Sequence, residues 1–175
     1  MDFIEFEQTG RKLLYDYLNY MNKDKGCEYK YVIQTDKFSI YDVDIQTKDH
    51  HYITEIKYRQ NSSKEYKEDI IELNKYIGLY NEKREMEQKT DKKVTMLYVI
   101  FYLDYYVRIY NLNKLKDINY RIVDYYNNVT TADNQSKRKK RKQNILLDTN
   151  NAIINRDLPN MYNNKSKNNK YEENN

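Results

Sequence analysis

The chain has 175 residues, a formal net charge of +4, 39% hydrophobic and 33% charged residues. This length fits one domain large enough to bury a core, and no apolar run approaches the length needed to span a membrane. One cysteine excludes an internal disulfide, and two histidines exclude histidine-rich catalysis. The acidic, amphipathic start MDFIEFEQTG does not read as a secretory signal. Tyrosine is abundant (21, against no tryptophan) and stands in for Phe and Leu in the core. Its excess is therefore not read as base stacking. Positive charge collects beyond residue 112.

Residues 2–21 are expected to form a helix, with Phe3, Phe6, Leu13, Leu14, Tyr17, Leu18 and Met21 on one stripe. Three strands follow, at residues 28–34, 38–47 and 51–59, joined by short turns as an antiparallel meander. His50 and His51 are expected in the second turn. Ser62 and Glu65 form an S-x-x-E capping box, which predicts a helix from there to about residue 88, with Tyr66, Ile70, Leu73, Ile77 and Tyr80 on its apolar face. Residues 94–103 (VTMLYVIFYL) read as a central strand covered on both faces. Asp104 turns the chain into a partner strand at 105–112. A helical turn at 113–119 and a strand at 120–126 come next. Residues 137–142 (KRKKRK) are a basic run, 144–154 return to the domain, and 160–175 read as a polar tail that is flexible or ordered by a partner. The expected organisation is a core of residues 1–112, a basic extension over 113–158 packing on or near it, and the tail 159–175.

The segment FSIYDVDIQTKDHHYITEIKYRQ (residues 38–60) carries charge inside apolar strands, which is costly unless paired. On the first strand Asp42 and Asp44 share a face; on the second, Glu55 and Lys57 do. A two-residue turn sets Asp42 opposite Glu55. A four-residue turn sets Asp44 opposite Glu55 and Asp42 opposite Lys57. Either gathers acids and lysine on one face. Converging carboxylates suit Mg²⁺ or Mn²⁺, and a nearby lysine can steady negative charge developing on a phosphate. The plainer alternative is a solvated hairpin face of cross-strand ion pairs.

The order helix, three-stranded meander, helix, central strand, with Asp42 on the second strand and Glu55-Ile56-Lys57 on the third, resembles the PD-(D/E)XK nuclease superfamily. That resemblance covers residues 1 to about 102. It implies a restriction-endonuclease-like α/β (α+β) fold with an α-β-β-β-α-β core, a mixed central sheet and flanking helices. It implies metal binding by Asp42, Glu55 and the Ile56 carbonyl, with Asp44 as the alternative first acid, and catalytic roles for Asp42, Glu55 and Lys57. Glu5 or Glu7 could add the first-helix glutamate of some members. Tyr41 stands where many members have proline, and the Gln-x-x-x-Tyr of the exonuclease branch is missing.

The implied activity is metal-dependent hydrolysis of DNA or RNA. Arg59 and the run Lys137, Arg138, Lys139, Lys140, Arg141 and Lys142 are candidate contacts to the nucleic-acid backbone. The setting would be the cytoplasm of a bacterium or a phage-infected host, with no membrane partner. Two further readings are open. One is a non-catalytic assembly subunit, such as a phage connector or tail-ring protein, that forms a homo-oligomer or binds other virion proteins. The other is a nucleic-acid-binding accessory protein.

Overall fold

The computed structural model describes residues 3–34, 39–117, 120–127 and 140–159. Helix α1 (Phe3–Lys25) is followed by β1 (Lys30–Ile33), β2 (Val43–Gln46), β3 (His50–Arg59) and β4 (Glu68–Glu72). Helix α2 (Leu73–Glu87), β5 (Lys93–Tyr102) and β6 (Tyr106–Asn111) come next. A 3₁₀ turn (Leu112–Asp117), β7 (Tyr120–Asn127), β8 (Lys140–Asp148), a second 3₁₀ turn (Thr149–Asn151) and β9 (Ile154–Asp157) complete the chain. A six-stranded mixed sheet runs β1-β2-β3-β5-β6-β9, and a three-stranded antiparallel sheet runs β4-β8-β7. The β3–β5 pair is parallel, and the other pairs of the large sheet are antiparallel. Leaving aside β4, which belongs to the smaller sheet, the order is the restriction-endonuclease-like α-β-β-β-α-β.

Two apolar layers cover the large sheet. Leu13, Leu14, Tyr17 and Leu18 of α1 pack on one face with Val43, Ile45, Ile56, Val99, Phe101 and Val107. On the other face Ile53, Met96, Tyr98, Ile100 and Tyr110 meet Leu79 of α2 and Ile71, Ile145 and Leu147 of the small sheet. β5 is therefore covered on both faces, which explains its unbroken apolar sequence.

The approach of α1 to β3 depends on Gly10. A Cβ built there would lie 2.9 Å from Ile56 Cγ2, a methyl on a stiff branched side chain. Gly10→Val is expected to cost about 1–3 kcal/mol by overpacking, outweighing the gain in helix propensity. A thermal melt beside wild type measures it.

The expected long helix after Ser62 is corrected. Residues 68–72 form β4, and α2 starts only at Leu73. Ser62 and Ser63 are engaged elsewhere: Asp104 Oδ2 accepts from both hydroxyls and from the Ser63 N–H, at 2.8–2.9 Å. EDIIE alternates, with Asp69 and Ile71 buried and Glu68, Ile70 and Glu72 partly exposed, and it pairs with β8. Of the expected stripe, Ile77 and Tyr80 of α2 are exposed, and Leu79 is the buried residue.

Smaller corrections apply elsewhere. Only Val43–Gln46 of the second predicted strand is in the sheet. His50 and His51 open β3 instead of lying in the turn. Lys140, Arg141 and Lys142 begin β8, while Lys137, Arg138, Lys139 and the tail from residue 160 lie outside the described residues. Residues beyond 113 add strands to both sheets: β8 pairs with β4 and β7, and β9 with β6. Among the described residues no helix is long and apolar enough to cross a membrane.

Candidate active site

The hairpin closes through a two-residue turn at Lys48 and Asp49, with the Thr47 N–H donating to the His50 carbonyl at 2.9 Å. The register pairs Val43 with Thr54 and Asp44 with Ile53. Just outside the ladder, the Asp42 N–H donates to the Thr54 carbonyl at 2.9 Å, which holds Asp42 beside the Thr54–Ile56 stretch of β3. This is the first of the two expected registers.

β2 begins only at Val43, paired with Thr54, so Ile56 lies beyond the ladder and its N–H has no strand partner on that edge. Asp42 Oδ2 accepts it at 2.8 Å. The Ile56 carbonyl faces the same edge, since both backbone groups of a strand residue point to one side. Asp42 Oδ1 accepts from Arg11 Nη2 at 2.9 Å. Arg11 comes from α1, one residue past the Gly10 approach, and also lies 3.7 Å from Glu7. Glu7 thus reaches the site only through Arg11.

Glu55 is 3% exposed and Asp42 7%. Two lysines flank Glu55: Lys75 Nζ of α2 at 3.0 Å from Oε2 and Lys57 Nζ at 3.8 Å from Oε1. The aligned hydrogen bond of Lys75 goes to the Ile40 carbonyl, at 3.1 Å. Glu55 Oε2 is buried, and its contact with Lys75 is an ion pair without hydrogen-bond alignment. Burial, and then the nearby Asp42 carboxylate, push the Glu55 pKa up to about 7, against the opposing pull of Lys57 and Lys75. Gly78 helps bring α2 in, since a Cβ there would lie 3.2 Å from Ile40 Cγ2.

Asp42, Glu55, Ile56 and Lys57 therefore come together. Asp44 has separate partners: its carboxylate accepts from His51 Nε2 at 2.7 Å and from Gln46 Nε2 at 3.1 Å. Arg59 follows Lys57 on the same face of β3, with Nη2 donating to the Ile70 carbonyl at 3.1 Å. In the basic run, Arg141 pairs with Asp124 at 2.5 Å and Lys142 with Glu72 at 3.0 Å. Arg11 and Lys75 were not singled out from the sequence. Each sits on a helix among many charged neighbours, where nothing local distinguishes it from a solvated residue.

Two carboxylates fit Mg²⁺, which commonly takes one or two protein carboxylates and keeps several waters. The observation in favour is that Glu55 Oε2 is buried and meets only the Lys75 ammonium, without an aligned hydrogen bond. Among the described residues, no three His, Cys, Asp or Glu side chains group closely enough to hold a metal by themselves. Any metal site here is thus limited to Asp42, Glu55, a backbone carbonyl and water. Arg11, Lys57 and Lys75 are matched by Asp42, Glu55 and Glu7, so the three cations and three acids balance before any metal binds.

No protein-family model matches the chain, and no curated protein does. Among solved structures, Hjc of Archaeoglobus fulgidus, a Holliday junction resolvase from an archaeal hyperthermophile, superposes with a TM-score of 0.49 at 8% sequence identity. The match covers 86% of this chain and 92% of that one. The mixed α+β architecture described above stands on the strand order itself.

Proposed function

We propose that the chain is a metal-dependent nuclease that hydrolyses phosphodiester bonds in nucleic acid. The observation that carries this reading is the meeting of two buried carboxylates, Asp42 and Glu55, at the edge where β2 begins. Lys57 stands beside Glu55 on the same strand face. Asp42 and Glu55 would hold Mg²⁺ or Mn²⁺, with the Ile56 carbonyl facing the same edge. A bound divalent ion supplies Lewis acidity and lowers the pKa of a coordinated water. The chain's own groups do the rest. Lys57 and Lys75 attract the phosphate and stabilise the negative charge that builds on it. Arg11 fixes the Asp42 carboxylate, and the Ile56 N–H fixes its other oxygen.

Lys57→Ala is expected to lower the cleavage rate by about 10²- to 10³-fold with little change in fold, since the side chain is 39% exposed. The test is incubation with circular and branched DNA and with RNA, in Mg²⁺ or Mn²⁺ and then in EDTA, beside the variant. Absence of metal-dependent cleavage by wild type would sink the proposal. A second reading, a non-catalytic assembly or nucleic-acid-binding subunit, draws on Arg11 and Lys75. These already neutralise the acids, as a purely structural cluster would.

A further inference from the structure

Next to this site lies a cleft of about 420 Å³ between the end of β3 and the small sheet. Arg59 is in its wall, two residues after Lys57 on the same strand face, roughly 7 Å along the strand. The Ile70 carbonyl accepts from Arg59 Nη2 and, at 2.7 Å, from the Tyr98 hydroxyl, which steadies the guanidinium. Arg59 makes no ion pair among the described residues, and neither does Lys67, the second cation of the lining.

The acids of the lining are already neutralised. Glu68 takes a two-pronged contact from Arg121, at 2.8 and 2.9 Å. Asp69 is buried against Arg108 and the hydroxyls of Tyr102 and Tyr110. The cleft therefore presents net positive charge. Its rim carries two tyrosines exposed well beyond what packing requires, Tyr66 at 60% and Tyr125 at 43%. Cations that make no salt bridge among the described residues, beside open aromatic rings, fit a ligand with both a phosphate and a flat π face. A base buried in duplex stacking cannot offer that face; an unpaired one can.

We propose that this cleft holds an unpaired nucleotide of the nucleic-acid strand bound at the Asp42/Glu55/Lys57 face. Its base lies against Tyr66 and Tyr125, and its phosphate meets Arg59 and Lys67. The substrate class is then single-stranded or branched nucleic acid rather than continuous duplex. This deepens the nuclease reading and rests on it for the strand's path.

Binding is measured in EDTA, where cleavage plays no part, by fluorescence of 2-aminopurine in a single-stranded oligonucleotide. A blunt duplex and free thymidine monophosphate are the comparison arms. Wild type is expected to prefer the single strand to both and to change the probe's emission. Tyr66→Ala and Tyr125→Ala are each expected to weaken single-strand binding by about 5- to 100-fold, and Tyr66→Trp to retain it. Both positions are exposed, and unchanged far-UV circular dichroism checks the fold. Wild-type affinity in both alanine variants overturns the cleft assignment, even if metal-dependent cleavage is intact. So does equal affinity for duplex, or binding of the free nucleotide as tightly as the strand. Ring-dependent binding by a protein that never cleaves supports the cleft while the nuclease reading fails.

Discussion

Glu55→Gln is expected to abolish metal-dependent cleavage, by more than about 100-fold, and to leave the fold at least as stable as wild type near pH 8. Catalytic loss with no stability loss is unusual for a residue 3% exposed, and it follows from the electrostatics. Burial and Asp42 raise the Glu55 pKa from an ordinary 4.5 to about 7. The native state therefore holds this proton more tightly than the unfolded chain does. The resulting stability is fully present below pH 4.5 and is lost as pH rises through 7. The shift corresponds to about 3 kcal/mol, of order 10 °C in Tm for a chain of this length.

Gln keeps the shape and removes the charge, so this component of the pH dependence should vanish. Melting curves from pH 4.5 to 8.5 would show the wild-type Tm falling relative to Glu55→Gln as pH rises. Mg²⁺ at pH 8 should raise the wild-type Tm, since ligand binding to the native state stabilises it, and should leave Glu55→Gln unmoved. Parallel pH profiles for the two proteins would mean that Glu55 is not the strained group its surroundings make it. A shared Mg²⁺ response would put the metal somewhere else.

Long-range pairing was legible where the side-chain period is unambiguous. The alternation of residues 42–46 and 51–59 left two registers, both with the charges on one face, and the Lys48–Asp49 turn selects the one that pairs Val43 with Thr54. The apolar run of β5 announced a strand covered twice. β4 was hidden for a physical reason. Tyr66, Ile70 and Leu73 fit a helical period as well as EDIIE fits a strand, and only pairing with β8, whose partner residues lie 72 or more positions away, decides between them.

The capping box failed similarly, because Asp104 takes Ser62 and Ser63 from across the chain. The acids of the candidate site were visible because charge inside an apolar strand stands out. Arg11 and Lys75 were not, since a cation on a charged helix surface is ordinary until the fold brings it to a carboxylate. The cleft was equally invisible. Tyr66 and Tyr125 are two of 21 tyrosines, and only their shared exposure beside Arg59 sets them apart.

Arg108→Ala is expected to be the most damaging single change away from the candidate site, costing about 3–5 kcal/mol and lowering Tm by about 6–20 °C. Arg108 is 6% exposed on β6. Its Nη1 donates to Asp69 Oδ2 at 3.3 Å and to the Tyr102 hydroxyl at 2.9 Å, and its Nη2 donates to the Ser63 carbonyl. Its Nε donates to Asn155 Oδ1 of β9 at 3.0 Å, and the guanidinium lies 4.9 Å from the Tyr102 ring centre. One side chain thus ties β4 of the small sheet to β5, β6 and β9 of the large one. Removing it strands Asp69 as a buried charge with only hydroxyl donors, and that orphaned charge, more than the lost attraction, sets the cost.

Two comparisons separate these terms by chemical denaturation. Tyr110→Phe removes one hydrogen bond to Asp69, of 2.6 Å, and should cost about 1 kcal/mol. The double variant Arg108→Ala/Asp69→Ala removes both charges and should be less destabilised than the sum of its single changes. Strict additivity would mean that the pair does not act as a unit. Asp69 and Tyr102 also line the cleft beside Arg59. Loss of Arg108 should therefore loosen that wall and weaken single-strand binding at temperatures where the protein is still folded. The buried pair then sustains the neutrality of the cleft floor, leaving Arg59 and Lys67 as the lining cations that make no salt bridge among the described residues.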